Sequence, residues 1–230
     1  MPLVNAAARP SRDPARGPVE REIAVMLVAA RWELTGRSLL PHDLLHALDC
    51  LGGAVGEVSQ AAGGVPIEFV GDRVTVLFGL DDTDVAEANR RALRAAAHLD
   101  LQLRKLQAQL QGEIGCDMQH VIGLHFGLTV VGQSGGPLTR SVIATGSALD
   151  VLRQLLAAEA AGASRGSPPA GAQRVVVSRA VFVAAQREPP SVAWHELELL
   201  DGKRIEFARI NPGGALGGAE AHSLRRPGHA

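Results

Sequence analysis

Residues 67–79 read IEFVGDRVTVLFG, in which two short runs of β-branched and aromatic residues flank Gly71 and Asp72. Glycine and aspartate both tolerate the backbone conformations of tight turns, so the stretch predicts a β-hairpin. The turn accounts for Gly71 and gives a sufficient reason for Asp72. It does not account for Glu68, and the two acids are either residues of the hairpin or residues of a binding site.

The composition argues against several classes of protein. The chain has 230 residues, of which 46% are hydrophobic, and a formal net charge of −1. A chain of this length can bury one core, and its charge gives no basic surface for nucleic acid. We find neither an apolar run of the roughly 20 residues that cross a bilayer nor a signal peptide, so we expect a cytoplasmic protein. Cys50 and Cys116 lack the paired spacing of a zinc site or a disulfide framework.

The apolar patterns predict one domain between two flexible tails. Residues 1–20 and 211–230 are rich in small residues, Pro and Arg without periodicity, which is typical of tails. Residues 161–173 have the same composition and predict an exposed loop within a domain that spans residues 21–210. The predicted elements are strand 22–30, helix 40–60, strands 65–70 and 73–79, helix 82–111, strands 119–127 and 138–144, helix 146–160, strand 173–178, helix 179–186, and strands 193–200 and 203–210. This order predicts an α/β (α+β) fold with a mixed sheet packed against helices.

Residues 82–111 predict a long helix. Apolar residues from Val85 to Leu110, including Leu101, return at helical spacing after the capping candidates Asp82 and Thr83. This stripe indicates a core-facing side, although the outer side could continue into a partner.

Six stretches follow one another along residues 21–210: EIAVMLVAAR, LLPHDLLHAL, IEFVGDRVTVLFG, IGLHFGLTVVGQSG, ATGSALDVLRQL and LLDGKRIEFARI. In order and spacing they resemble the catalytic domain of class III adenylate and guanylate cyclases. The resemblance implies a ferredoxin-like α/β sandwich in which two copies pair head to tail. It also implies that ATP or GTP would be cyclised in composite sites at the interface.

The resemblance implies a small set of site residues. In the family, two aspartates hold two divalent metals, and an Asn and an Arg of the other chain hold the ribose and the phosphate. The first aspartate position is Ala29, so one metal anchor is missing, whereas the second matches Asp72. Glu68 occupies the base-reading position, and glutamate is the residue type that the family uses for guanine. If nucleotide binding is retained, the expected cofactor is Mg or Mn.

The remaining positions depart from the family pattern. Asp150 and Gln154 occupy the Asn and Arg positions, four residues apart on a helix, and Asp201 replaces the lysine before the last hairpin's glycine. Arg153 lies beside the expected arginine and is a candidate nucleotide contact. Moving the helix by one residue rotates every side chain by about 100° and puts Leu149 at the Asn position, so a slip does not restore the pair.

The predicted site has an unfavourable charge for a triphosphate. Without metals, Glu68, Asp72, Asp150 and Asp201 would converge there, and their repulsion would be worth several kcal/mol at the low effective dielectric of a cleft. Four cations could offset part of it: Arg73, Arg140, Lys203 and Arg204.

Three functions are compatible with this pattern. The first is a catalytically degenerate cyclase-like domain that acts as a regulatory and dimerisation module in signal transduction and is not an enzyme. The second is a weakly active adenylate or guanylate cyclase that uses Asp72 and one metal, and the third is a nucleotide-sensing binding domain. The leucines of residues 39–48 and 82–111 exceed the needs of one small core, so we expect a homodimer or a heterodimer with another cyclase-like domain.

The histidines outside these motifs could be metal ligands or residues that pack in the fold. His42, His46 and Cys50 recur at i, i+4 and i+8, so they could place metal ligands on one helical face or simply pack. His120 and His125 lie at odd spacing on one predicted strand. They should therefore face opposite sides of the sheet and be structural.

Overall fold

The computed structural model describes residues 18–34, 40–81, 83–135, 141–163 and 175–211. Within these ranges the elements are β1 (Val19–Leu34), α1 (Pro41–Ala61), β2 (Gly64–Val70), β3 (Arg73–Phe78), α2 (Val85–Ile114), β4 (Cys116–Ser134), β5 (Ser141–Thr145), α3 (Ser147–Ala163), β6 (Val175–Ser178), α4 (Arg179–Ala184), β7 (Trp194–Glu198) and β8 (Arg204–Ile210). The predicted α+β architecture is confirmed. None of the helices in these ranges carries an apolar stretch that could span a bilayer.

The strands form one mixed sheet in the order β2-β3-β1-β4-β6-β8-β7, and β5 pairs with β4 beside this path. Neighbouring strands are antiparallel except β4 and β6, which are parallel. The long strands β1 and β4 pair along the whole of β1, with Val19 opposite Val131 at one end and Leu34 opposite Cys116 at the other. Their ladder forms the centre of the sheet.

The sheet separates two apolar cores because alternate strand residues point to opposite faces. On one face, Met26 of β1 packs among buried residues of α1, α2 and α4, such as Leu99. On the other face, Val25 packs with α3 through residues such as Leu152. The positions singled out by the cyclase resemblance lie around α3.

The strands β2 and β3 form the predicted hairpin. Gly71 lies in its turn with a φ of +58°, a conformation that side chains disfavour. The register shifts between Pro66 and Glu68, as at a β-bulge, and this shift places Glu68 opposite Thr75.

The helix α2 begins at Val85, three residues later than predicted. Its cap is Asp84, whose carboxylate accepts hydrogen bonds from two backbone N–H groups of the first turn. Thr83, a predicted cap, instead accepts a hydrogen bond from Arg91 at 3.1 Å, and Asp82 lies outside the described residues. The capping prediction was wrong because three consecutive residues are all favourable N-cap types, and residue type does not choose among them.

The apolar stripe of α2 is only partly buried. Val85 and Leu101 are exposed, whereas Asp100 is buried. Asp100 can lie on the core side because His120 of β4 lies 3.0 Å from its carboxylate. A polar contact across the core therefore overrides the hydrophobic pattern at this turn of the helix.

Several predicted boundaries were also wrong. β4 extends beyond 119–127 at both ends because it pairs with β1 from Cys116 to Val131 and with β5 as far as Ser134, and the predicted start of the next strand at residue 138 lies outside the described residues. The predicted tail 1–20 and loop 161–173 each included residues of regular structure, since β1 begins at Val19 and α3 runs to Ala163. Residues 1–17 of that tail, residues 164–173 of that loop and residues 212–230 lie outside the described ranges.

The two histidines of β4 face opposite sides of the sheet, as their spacing predicts. His120 contacts Asp100 of α2, whereas Nδ1 of His125 lies 2.8 Å from Oγ of Ser178 at the end of β6, on the face that α3 covers. Both imidazoles are buried, so each belongs to the packing of its own side.

The helix α1 does not assemble a metal site. His46 lies 3.8 Å from Sγ of Cys50 and 3.4 Å from Glu113, whereas His42 contacts Asp43. Over the described residues, no three His, Cys, Asp or Glu side chains are placed to hold a metal ion. The side chains of His42 and His46 are exposed, so this helical face is not packed in the core either.

Candidate functional site

The second half of β1 and the turn of the β2-β3 hairpin bring the two predicted metal positions together. Ala29 pairs with Arg73, and the N–H of Ala30 donates to the carbonyl of Asp72 at 2.9 Å. Ala29 offers only a methyl group, which packs against the core on the α3 side. The carboxylate of Asp72 lies 3.8 Å from Nε of Arg73, so the one acid at this position already has a cationic neighbour.

These residues do not fit the pair of metals that the resemblance implies. Mg²⁺ and Mn²⁺ are held mainly by carboxylate, carbonyl and water oxygens, and two ions need bridging acids. Ala29 has no side-chain ligand, and the Asp72 carboxylate stands alone beside Arg73. A two-metal centre cannot be built from this end of the hairpin.

Arg153 of α3 bridges two acids of the predicted site. Its guanidinium lies 4.0 Å from the carboxylate of Glu68 and 3.2 Å from that of Asp150. The Glu68 carboxylate also accepts a hydrogen bond from the hydroxyl of Thr75 at 3.3 Å. Thr75 was missed from the sequence, although correct pairing of the hairpin would have placed it opposite Glu68. Two groups of the same chain therefore lie beside the carboxylate at the predicted base-reading position.

Gln154, at the predicted arginine position, bonds the β7-β8 hairpin. Its Oε1 accepts a hydrogen bond from the N–H of Leu200 at 2.7 Å. In the same hairpin, Nζ of Lys203 lies 3.0 Å from Asp201, and hydrogen bonding to Lys203 lowers the pKa of Asp201. Gln154 is uncharged, and its side-chain oxygen accepts a hydrogen bond from the β7-β8 hairpin. It therefore positions this hairpin, whereas an arginine at the same place would donate hydrogen bonds to a phosphate.

The space between α3 and the sheet is almost filled. It forms a cavity of about 10 Å³ lined by Val25, Leu27, Thr75, Leu149, Leu152 and Arg153. A cavity of this size has room for about one water molecule. A purine ring therefore does not fit under α3 in this conformation of the single chain.

Each acid at the predicted positions has a cation beside it, and Arg73 and Lys203 are two of the four cations that were expected to offset the repulsion. The pairs are Glu68 and Asp150 with Arg153, Asp72 with Arg73, and Asp201 with Lys203. Arg204 contacts Glu196 and Glu198 instead, and Arg140 lies outside the described residues. Solvent screens such exposed pairs, but they reduce the repulsion expected from the acids alone.

Solved structures with the same arrangement of strands and helices identify the fold. The chain superimposes on the guanylyl cyclase Cya2 with a TM-score of 0.63 and 21% sequence identity, over 84% of this chain and 92% of that chain. The fold is that of a class III nucleotide cyclase catalytic domain. The fold expected from the six sequence stretches is therefore confirmed.

Two further structures share the cyclase fold. The adenylyl cyclase CyaB from P. aeruginosa matches with a TM-score of 0.62 and 15% identity, over 82% of this chain and 94% of that chain. A dimeric guanylyl cyclase domain of the RhoGC fusion protein from the aquatic fungus Blastocladiella emersonii matches at 0.57 and 14%, over 83% and 96%. No protein-family model and no curated protein matches the chain. Since one fold can carry several activities, the side chains of this cyclase fold must decide its function.

Proposed function

We propose that this cyclase-like domain makes no cyclic nucleotide and acts as a regulatory and dimerisation module. The observation that carries the proposal is the bridge from Glu68 through Arg153 to Asp150, in which site residues bond one another. A cyclase needs donors and metals that face the ribose and the triphosphate. Here Ala29 offers no ligand, and Gln154 is bonded to the β7-β8 hairpin.

The chemistry sets the expected size of the defect. Cyclisation requires a deprotonated 3′-oxygen and stabilisation of the negative charge that builds on the phosphate. Removing one preorganised donor typically costs a factor of about 10² to 10³ in rate. The chain lacks the Asn and Arg pair and one metal ligand of the family pattern. These losses are not additive, but together they bring turnover below detection.

A product assay tests the proposal directly. We expect the purified protein to form no cyclic AMP or cyclic GMP from ATP or GTP with abundant manganese, as measured by mass spectrometry against a control without protein. Cyclic nucleotide that forms with the wild-type chain and is lost in Asp72→Ala would overturn the proposal and support a weak cyclase.

Nucleotide binding without turnover is a second candidate. It is favoured by Glu68, whose partly exposed carboxylate can accept hydrogen bonds from N1 and N2 of guanine. Titration calorimetry with GTP tests this role, because any binding should weaken in Glu68→Ala. Equal affinities in the two proteins would remove Glu68 from the binding site.

The regulatory proposal includes a dimer with a second copy or with another cyclase-like domain. An apolar surface supports it: Phe69 and Val70 at the end of β2 are exposed, and so is Leu45, which is 68% exposed on α1. The Phe69 ring borders Gly52, which lies two helical turns from Leu45 on the same face of α1. We call Leu45, Phe69 and Val70 the α1–β2 surface.

A further inference from the structure

The second half of β4 exposes apolar residues on the face of the sheet that α1, α2 and α4 cover elsewhere. Alternate residues of a strand share a face, so Leu128 and Val130 follow Phe126, which packs against the core. Leu128 is 43% exposed, and Val130 is partly exposed. Ile143 of β5 lies opposite Gly132 on this face and is 52% exposed. We call Leu128, Val130 and Ile143 the β4–β5 strip.

Two glutamates of β1 border the β4–β5 strip. Glu22 lies directly opposite Leu128, and Glu20 lies directly opposite Val130. Directly opposite residues of antiparallel strands point to the same face, with their Cβ atoms about 4.5–5.5 Å apart. Both glutamates are exposed, and no cation of the described residues forms an ion pair with either one. The strip is therefore an apolar surface with two uncompensated negative charges along one side.

The neighbouring residues do not supply the missing positive charge. Arg21 lies between the two glutamates in sequence, but strand alternation points it to the α3 side. There its guanidinium donates a hydrogen bond to the carbonyl of Leu80 at 3.3 Å. Residues 127–134 and 141–145, GLTVVGQS and SVIAT, contain no charged residue. A cation that pairs with the glutamates must therefore come from a binding partner.

We propose that the β4–β5 strip and its two glutamates dock a basic amphipathic segment of another protein. The apolar side of that segment would cover the strip, and its Lys or Arg residues would lie over the glutamates. Burial of the exposed apolar side chains favours association, and the opposite charges select the partner. The contact is small, so we expect a weak and reversible complex.

The α1–β2 surface of a second copy is a poorer match for this strip. That surface is apolar, but residues 40–62 around it contain three acids and no Lys or Arg. Its contact with the strip would bring carboxylates of both copies together, and like charges repel. The strip and the α1–β2 surface share no residue, so the inference holds whether or not the chain forms a dimer.

An NMR titration of the full chain with a blocked amphipathic peptide of leucine and lysine tests the docking surface. We expect saturable shifts that cluster on the amides of residues 19–22, 128–132 and 141–145, and an affinity that falls as salt screens the charges. A peptide with glutamate in place of each lysine should not bind. Equally tight binding of that peptide, shifts that do not saturate, or shifts that cluster on residues 40–57 would overturn the proposal.

Exposed side chains allow matched variants that should fold. Glu20→Gln/Glu22→Gln is expected to weaken binding of the leucine–lysine peptide about tenfold, because two exposed ion pairs are lost. The control Glu196→Gln/Glu198→Gln removes the same charge at the same spacing on β7 and should leave the affinity unchanged. Equal affinities of the two double variants would overturn the role of the β1 glutamates.

The apolar part of the surface needs its own variant. Ile143→Thr keeps a β-branched side chain on β5 but exchanges a hydrophobic group for a hydroxyl. We expect it to weaken peptide binding several-fold without loss of the folded spectrum, because less apolar surface is buried. An affinity equal to that of the wild-type chain would remove the strip from the docking surface.

Discussion

Nε2 of His120 lies 3.0 Å from the carboxylate of Asp100, and Asp100 is only 1% exposed. Burial raises the pKa of Asp100, but hydrogen bonds from His120 and Arg104 outweigh it, so the pKa is lowered and the carboxylate is charged. We predict that Asp100→Ala destabilises the fold by about 3 kcal/mol, because it leaves buried donors without their acceptor. Urea unfolding measures the change. The exposed Glu196→Ala should stay within about 0.5 kcal/mol of wild type, and an equally small effect of Asp100→Ala would contradict the prediction.

His125 should make the fold less stable in mild acid. Burial lowers the pKa of His125 from 6.5 to about 4, so below pH 6.5 the unfolded chain binds a proton that the folded chain does not. Stability therefore falls as the pH falls, by about 2 kcal/mol between pH 7.5 and pH 5. Urea unfolding across this range should show the slope in wild type and in the exposed-histidine control His42→Gln. A His125→Gln protein that keeps the full slope would rule out His125 as its source.

Two glycines should respond to alanine in opposite directions. A Cβ on Gly64 would lie 2.6–2.9 Å from side-chain atoms of Phe78 and Val76, whereas Gly53 on α1 has nothing within 4 Å. Gly64→Ala should cost about 1–3 kcal/mol through overpacking. Gly53→Ala should stabilise by about 0.5–1 kcal/mol through helix propensity. Thermal unfolding of both variants checks the pair, and a stabilised Gly64→Ala would show that the two side chains move aside at little cost.

Removing Arg153 should favour guanine nucleotides. Its guanidinium lies beside Glu68 and lines the small cavity under α3, so any guanine must displace it. Arg153→Ala is expected to raise GTP affinity several-fold while changing the stability by less than about 1 kcal/mol, because the ion pair is exposed. Calorimetry measures the affinity, with Arg204→Ala as the charge control. Weaker binding in Arg153→Ala would instead make Arg153 a nucleotide contact.

The α1–β2 surface should be covered in a dimer. We expect the wild-type chain to sediment at twice its mass of 24.1 kDa at micromolar concentration. The double variant Leu45→Glu/Val70→Glu should sediment as a monomer, since it places charges in an apolar contact. Leu200→Glu, which changes an exposed leucine of the β7-β8 hairpin, serves as the comparison. A wild-type protein that is monomeric at this concentration would refute the dimer.

Patterns among neighbouring residues were sufficient to predict most of the fold. The hairpin at Gly71 and the opposite faces of His120 and His125 follow from turn chemistry and strand periodicity, which are properties of neighbouring residues. The burial of Asp100 and the cap at Asp84 could not be predicted in this way. The first depends on a contact with another element, and the second on a choice among equally suitable residues.

The candidate site was harder to predict than the fold. The sequence pattern pointed to Glu68, Asp72, Asp150 and Asp201 and to Arg73 and Lys203 as offsetting cations, but not to the pairing of Arg153 with Glu68 and Asp150. Arg153 reaches Glu68 from a helix some eighty positions away in the chain, so residue spacing alone gives no indication of that pair. Side-chain pairing across elements is therefore what sequence reasoning missed.

The position of β1 between β3 and β4 has a consequence for synthesis. Both neighbours follow β1 in the chain, and Val19 at its start pairs with Val131 near the end of β4. At translation rates of about 5–20 residues per second, completion of that ladder lags behind β1 by on the order of ten seconds. During this interval the apolar residues 23–30 have no sheet partner on the β4 side. The central strand of the sheet is thus a segment that nascent-chain chaperones can reach before the domain closes around it.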